Sequence, residues 1–141
     1  MIQRSQTIWL LIAAICAFIS LRTSFYSGIL SDPADLTSQG FQQFTGITNM
    51  PILILTVICG TLSFINIFLF KNRSLQLKLV LADLVLSILI LVLYFGQVKR
   101  YNNGDFALTS AIVFIIPIFL ILAARGIYRD QKLVRSADRL R

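Results

Sequence analysis

Four stretches of the chain are apolar at nearly every position, and short polar segments separate them. Three of them, Pro51 to Phe70, Leu79 to Val98 and Phe106 to Ala124, approach the roughly 20 residues that a helix needs to cross a hydrocarbon core of about 30 Å. The first, Ile8 to Leu21, is shorter. It reaches the same length if residues 7–26 are helical and Arg22 extends its guanidinium outward near the end. The pattern predicts four spans, at about 7–26, 51–70, 79–98 and 106–124, with an external loop over 27–50 and a tail over 125–141. The expected fold is all-α, a single membrane domain over 1–141 built as a four-helix bundle.

Composition agrees with that reading. The chain is 57% hydrophobic and 13% charged, against about 45–50% and 25% in soluble domains, and the polar segments are too short to fold alone. Arg4 ahead of the first run also fits the basic start of a cleaved signal peptide. No small-x-small cleavage site follows, and Arg22 arrives early, so the run is read as an uncleaved anchor.

Charge sets the orientation. Of the 13 Lys and Arg residues, only Arg22, Lys99 and Arg100 fall on one side of the four spans; all the others fall on the opposite side. The positive-inside rule therefore predicts that both termini face the cytoplasm. The tail carries Arg125, Arg129, Lys132, Arg135, Arg139 and Arg141 against Asp130 and Asp138, and Leu133, Val134, Ala137 and Leu140 recur at helical spacing. That pattern predicts a basic amphipathic tail helix lying on anionic lipid head groups. Docking to another membrane or cytoplasmic protein is the alternative use. A nucleic-acid module would need a basic face interleaved with aromatics, and none is present.

Candidate chemistry is sparse. The chain has no histidine and no glutamate; all six acids are aspartates. This removes His-based triads and His or His/Glu zinc sites. Cys16 and Cys59 lie inside apolar runs without a C-x-x-C spacing and are read as small core residues. No nucleophile-elbow or phosphate-loop motif occurs, so the chain is read as non-enzymatic, with no cofactor and no metal.

Asp83 stands out as an acid about four residues inside the third span. Arg125 at the end of span four and Asn66 in span two lie at similar depth, and a pair of Asp83 with Arg125, Asn66 adding a donor, is expected. Such a cluster is read first as a latch between helices, and alternatively as the site of a homodimeric proton- or cation-coupled transporter. Ala13, Ala17 and Ser20 in span one and Thr56, Gly60 and Ser63 in span two suit close helix contact. Pro117 is expected to bend span four. In the external loop Asp32-Pro33 reads as a helix start, while Leu36, Phe41, Phe44 and Ile47 suit either the membrane–water interface or an ordinary packed loop. Asn102-Asn103-Gly104-Asp105 reads as a tight turn.

The opening Met1-Ile2-Gln3-Arg4-Ser5-Gln6-Thr7 running into Leu10-Leu11-Ile12-Ala13-Ala14, the central Lys71-Asn72-Arg73-Ser74-Leu75-Gln76, and the closing Arg125-Gly126-Ile127, Asp130 and Leu133 to Arg141 resemble a small Bacteroidetes-type family. Its members are four-span inner-membrane proteins known only as a domain of unknown function. The resemblance implies that Arg4, Gln6, Arg73, Gln76, Arg125 and Asp130 converge at the cytoplasmic end, as a face for a partner or a lipid head group. Arg129, Lys132, Arg135, Arg139 and Arg141 would extend that face. The expected function is that of an accessory or assembly subunit of a membrane complex.

Overall fold

The computed structural model describes residues 2–30, 41–69 and 72–138. Four helices dominate it: α1 (Ile2–Arg22), α2 (Met50–Phe68), α3 (Arg73–Val98) and α4 (Ser110–Asp138). Three strands, β1 (Ser24–Leu30), β2 (Phe41–Thr45) and β3 (Tyr101–Phe106), join them at one end, with a 3-10 turn over Gly46–Thr48 leading into α2. α1 packs against α2 and α4, and α3 packs against the same two. The four helices thus form a closed bundle.

Buried positions step by three and four residues along every helix. They are Gln6, Leu10, Ala13, Ala17 and Ser20 on α1, and Ile52, Thr56, Cys59, Ser63 and Asn66 on α2. On α3 they are Gln76, Val80, Asp83, Ser87, Ile90 and Tyr94; on α4, Ser110, Val113, Ile116, Leu120, Ala123, Ile127 and Asp130. This spacing is that of helices packed knobs-into-holes at a shallow angle. The outer faces are apolar, with Ile15, Phe18, Ile54, Phe64, Val85, Val92, Ile118 and Ile121 exposed. Polar side chains inside and apolar ones outside invert the soluble pattern and suit a lipid surround. α2 (Met50–Phe68), α3 (Arg73–Val98) and the Ser110–Val134 part of α4 are long and apolar enough to cross a membrane; the apolar part of α1, Gln6–Arg22, is shorter.

The end opposite the termini departs from an all-α fold. β1 pairs antiparallel with both β2 and β3, giving the order β2-β1-β3. The first helix therefore ends at Arg22 rather than at 26, because residues 24–30 satisfy their backbone groups in the sheet. Likewise Phe106 closes β3 instead of opening the fourth helix. α3 starts at Arg73, ahead of the apolar run.

Two bulges shape the sheet. Opposite β2 the register shifts between Ser24 and Tyr26, so Phe25 is the extra residue. A bulge turns two successive side chains to one face, and both Phe25 and Tyr26 are buried. Opposite β3 the register shifts between Ser27 and Ile29, which leaves Asn103 and Gly104 facing Gly28 alone. The Asn-Gly segment is thus a bulged strand and not a turn. Glycine is required at 104 by proximity: a Cβ there would overlap the Ser27 carbonyl oxygen and lie 2.7 Å from the Gly28 Cα.

Under the sheet an aromatic cluster closes the bundle. Phe25 packs on Tyr94 at 4.4 Å between ring centroids, and Phe44 meets both Tyr94 and Tyr101. Phe106 meets Phe25 and Tyr26 edge-on. Tyr26 donates its hydroxyl to the Gly104 carbonyl at 2.6 Å, and Thr109 donates to the Ser24 carbonyl. Phe44 therefore belongs to this plug and not to an interface patch, whereas Ile47 is exposed. Asp32-Pro33, Leu36 and the Phe41 side chain lie outside the described residues.

The tail is not a separate helix. α4 runs unbroken for 29 residues, about 43 Å at 1.5 Å per residue, through Pro117 and past Arg125. Gly126 sits inside the helix because α1 approaches closely there; a Cβ at 126 would lie 2.9 Å from the Gln6 Cγ.

Candidate functional site

The polar interior is concentrated toward the end where α1 begins and α4 ends. Arg73 opens α3 and donates from Nη1 to the Asp130 backbone carbonyl on α4 at 3.3 Å. The Asn66 carbonyl, near the end of α2, lacks the intrahelical partner that mid-helix carbonyls have. It accepts the Leu69 N–H and, at 3.0 Å, the Gln76 side-chain amide. Gln76 thereby joins α2 to α3 across their short connection. Gln6 lies against Gly126 on the opposite pair of helices.

One helical level further in, Ser63 donates its hydroxyl to Oδ2 of Asp83. Cys59, Ser63 and Asn66 share one face of α2 because they are three and four residues apart. The Cys59 thiol faces the same carboxyl group. Asp83 is fully buried, and its Oδ1 has no hydrogen-bond partner among the described residues. The side-chain oxygen and nitrogen of Asn66, also fully buried, are likewise unpartnered.

The expected pair of Asp83 with Arg125 does not form. Ala123 and Ile127 take the inward positions of that turn of α4, so Arg125, two residues from each, points outward and is exposed. The acid is held instead by the Ser63 hydroxyl. Ser63 was recognised only as a small contact residue; its place seven residues after Thr56 and three before Asn66 was the signal that could have put it opposite Asp83. Gly60 does stand at the α1–α2 contact, where a Cβ would lie 3.4 Å from that of Ala17 and 3.1 Å from the Phe18 ring.

The expected partner face divides in two. Gln6, Gln76 and Asp130 lie toward the end carrying the termini, but inside the bundle, each only 6% exposed; their three-and-four spacing with the apolar core positions turns them inward. Arg73 is half-buried, and Arg129 and Lys132 are exposed. The side chains of Arg4 and Arg135, and residues Arg139 and Arg141, lie outside the described residues. A shallow surface depression at the start of α3 is lined by Asn72, Arg73, Ser74, Leu75 and Lys78. Among the described residues, no group of three or more metal-ligating side chains comes together. Outside the spans, burial raises the Tyr101 phenol above its ordinary value of 10.0.

Comparison with known proteins gives one assignment. The model of a family described as a domain of unknown function (DUF4293) matches residues 2–140. The match covers nearly the whole chain, and the protein belongs to that family. No curated protein and no solved structure matches it.

Proposed function

We propose that this DUF4293 member is a non-enzymatic inner-membrane protein, an accessory or assembly subunit that binds a partner or anionic lipid head groups through the end of the bundle carrying its termini. All four helices cross the bilayer in this reading. α1 supports that, since Ile8, Leu11, Ile15, Phe18 and Ile19 expose an apolar face like those of the longer helices. The distribution of Lys and Arg supports cytoplasmic termini.

One observation carries the reading: α4 continues beyond the bundle. Among the described side chains of α4, Asp130 is the last buried one, tied to the first residue of α3, and the helix runs on through Asp138, eight residues or about 12 Å further. Lys132, Leu133 and Val134 are exposed on this segment, and Tyr128 and Arg129 are exposed just before it. A helix that outlasts its bundle with basic and apolar residues exposed supports a docking role. The depression around Arg73 and Lys78 adds two cations at the same end, suited to phosphate head groups.

The test is native mass spectrometry of the tagged chain, extracted gently from its own membrane, beside a form lacking residues 133–141. A foreign subunit that accompanies the full chain and is lost on deletion, with insertion intact, supports the proposal. A clean homodimer refutes it. That outcome supports the second reading, a homodimeric proton- or cation-coupled transporter using Asp83, which the buried, partly unpartnered carboxyl favours.

A further inference from the structure

The unpartnered buried polar atoms are not scattered through the bundle. Among the described residues, Gln6 Nε2, Asn66 Nδ2 and Oδ1, and Asp83 Oδ1 all lie on the side of the termini; a fifth, the Tyr94 hydroxyl, belongs to the aromatic plug at the other end. Three other buried hydroxyls of the core are satisfied within their own helices. Ser20, Thr56 and Ser87 each donate to a carbonyl of their own helix at 2.7 Å.

Left unpartnered in an inert core, each of these four atoms would be destabilising. Their chemistry identifies what satisfies them. Two are oxygen acceptors and two are amide donors. A metal cation would suit the oxygens and be repelled by the amide N–H groups. Water donates and accepts, and buried waters commonly make about three bonds to groups of this kind.

The same residues lie at successive levels of the bundle. Gln6 and Gln76 are buried at the outermost level, Asn66 lies next, and Ser63 with Asp83 lies one turn deeper. Beyond Asp83 the core passes to Ile90, Ile52 and Val113 and then to the packed rings of Phe25, Phe44 and Tyr94. Buried polar side chains thus continue from Asp83 toward the end carrying the termini, while the other end is closed by aromatic rings.

We infer that Asp83 is a proton-binding site that exchanges with water from the end of the bundle carrying the termini, through water held by Asn66 and Gln6. In the step, a hydronium ion gives its proton to Oδ1 of Asp83: one O–H bond breaks, another forms, and a water molecule is left. The reverse releases it to the same side. The titratable groups on the surrounding elements are Cys59 on α2, half-buried Cys16 on α1, and Asp130 with exposed Arg125 on α4. The site stands apart from the docking role proposed above and is tested without any partner.

Infrared spectroscopy of the full chain in lipid nanodiscs provides the test, with Asp83→Asn as the reference. The expected result is a carboxylic acid C=O band, missing in Asp83→Asn, that titrates reversibly with pH and shifts in D2O while the amides of the spans remain unexchanged. Asn66→Leu is expected to slow that shift by an order of magnitude. Asn66→Ser, which keeps a hydroxyl for water, restores it. The inference is overturned if no band differs between wild type and Asp83→Asn across the titration, if the band exchanges only as slowly as the span amides, or if both Asn66 variants behave alike. In uniformly oriented proteoliposomes a pH step on the sheet side alone leaves the band unchanged; a response there overturns the one-sided path.

Discussion

Ser63 on α2 donates its hydroxyl proton to Oδ2 of Asp83 on α3, and both residues are fully buried. The bond joins two antiparallel helices at a level where their other inward neighbours are small or apolar. In lipid, such interhelical bonds average about 0.6 kcal/mol. Ser63→Ala should therefore lower thermal stability in detergent modestly, by about 0.5–1.5 kcal/mol. Asp83→Asn, whose amide oxygen accepts the same proton, should lose less than Ser63→Ala. A larger loss for Asp83→Asn would show that the charge, and not the hydrogen bond, matters to the fold.

Gly104 and Gly96 should respond in opposite ways to alanine. At 104 a methyl group meets backbone on the neighbouring strand, which cannot swing aside, so Gly104→Ala should destabilise by about 1–3 kcal/mol and loosen the cap. At 96 a methyl group meets nothing within 4 Å, and the change should stay within about 1 kcal/mol, toward greater stability. Limited proteolysis of the sheet end and thermal melts of both variants check the contrast.

Gly126 tests the contact between α1 and α4. Its neighbour is the Gln6 side chain at 2.9 Å, which is flexible, so Gly126→Ala should cost less than about 1 kcal/mol. Gly126→Val adds branches that the aliphatic part of Gln6 cannot avoid, and should cost about 1–3 kcal/mol. Equal melting temperatures for the two variants would show that the helices are not in close contact there.

Tyr101 makes stability depend on pH at the alkaline end. Burial raises its folded-state pKa above 10.0, so the folded state resists losing the phenolic proton. The associated stability is fully present below about pH 10, the unfolded value, and is lost as pH rises through the higher folded value. Melts should be flat in this respect from neutral pH to about 10 and fall above it, and Tyr101→Phe should flatten part of that fall.

The apolar runs, and hence the four helices, were legible because a membrane helix is a local property: about 20 consecutive apolar residues suffice whatever the rest of the chain does. The gathering of Gln6, Gln76 and Asp130 at one end was also legible in the motifs, since topology brings the start of α1, the start of α3 and the end of α4 together. Their inward direction was within reach too, from the three-and-four spacing they share with Leu10, Val80 and Ile127. It was hidden by their polarity, which reads as surface when interior and lipid are not distinguished.

Other features were decided only by the tertiary structure. The β1–β3 pairing joins residues more than 70 apart in sequence, such as Tyr26 and Phe106, and neither segment has a pattern that names its partner. Once it forms, it ends α1 at Arg22, turns an Asn-Gly pair into a bulged strand and buries Phe25 beside Tyr26. The partner of Asp83 was decided in the same way. Its depth follows from counting residues along α3, but whether Arg125 or Ser63 meets it depends on the rotation of α2 and α4 about their axes, which the packing of Ala123, Ile127 and Cys59 sets. Local periodicity determines what each segment becomes; contacts between distant segments determine which atoms meet.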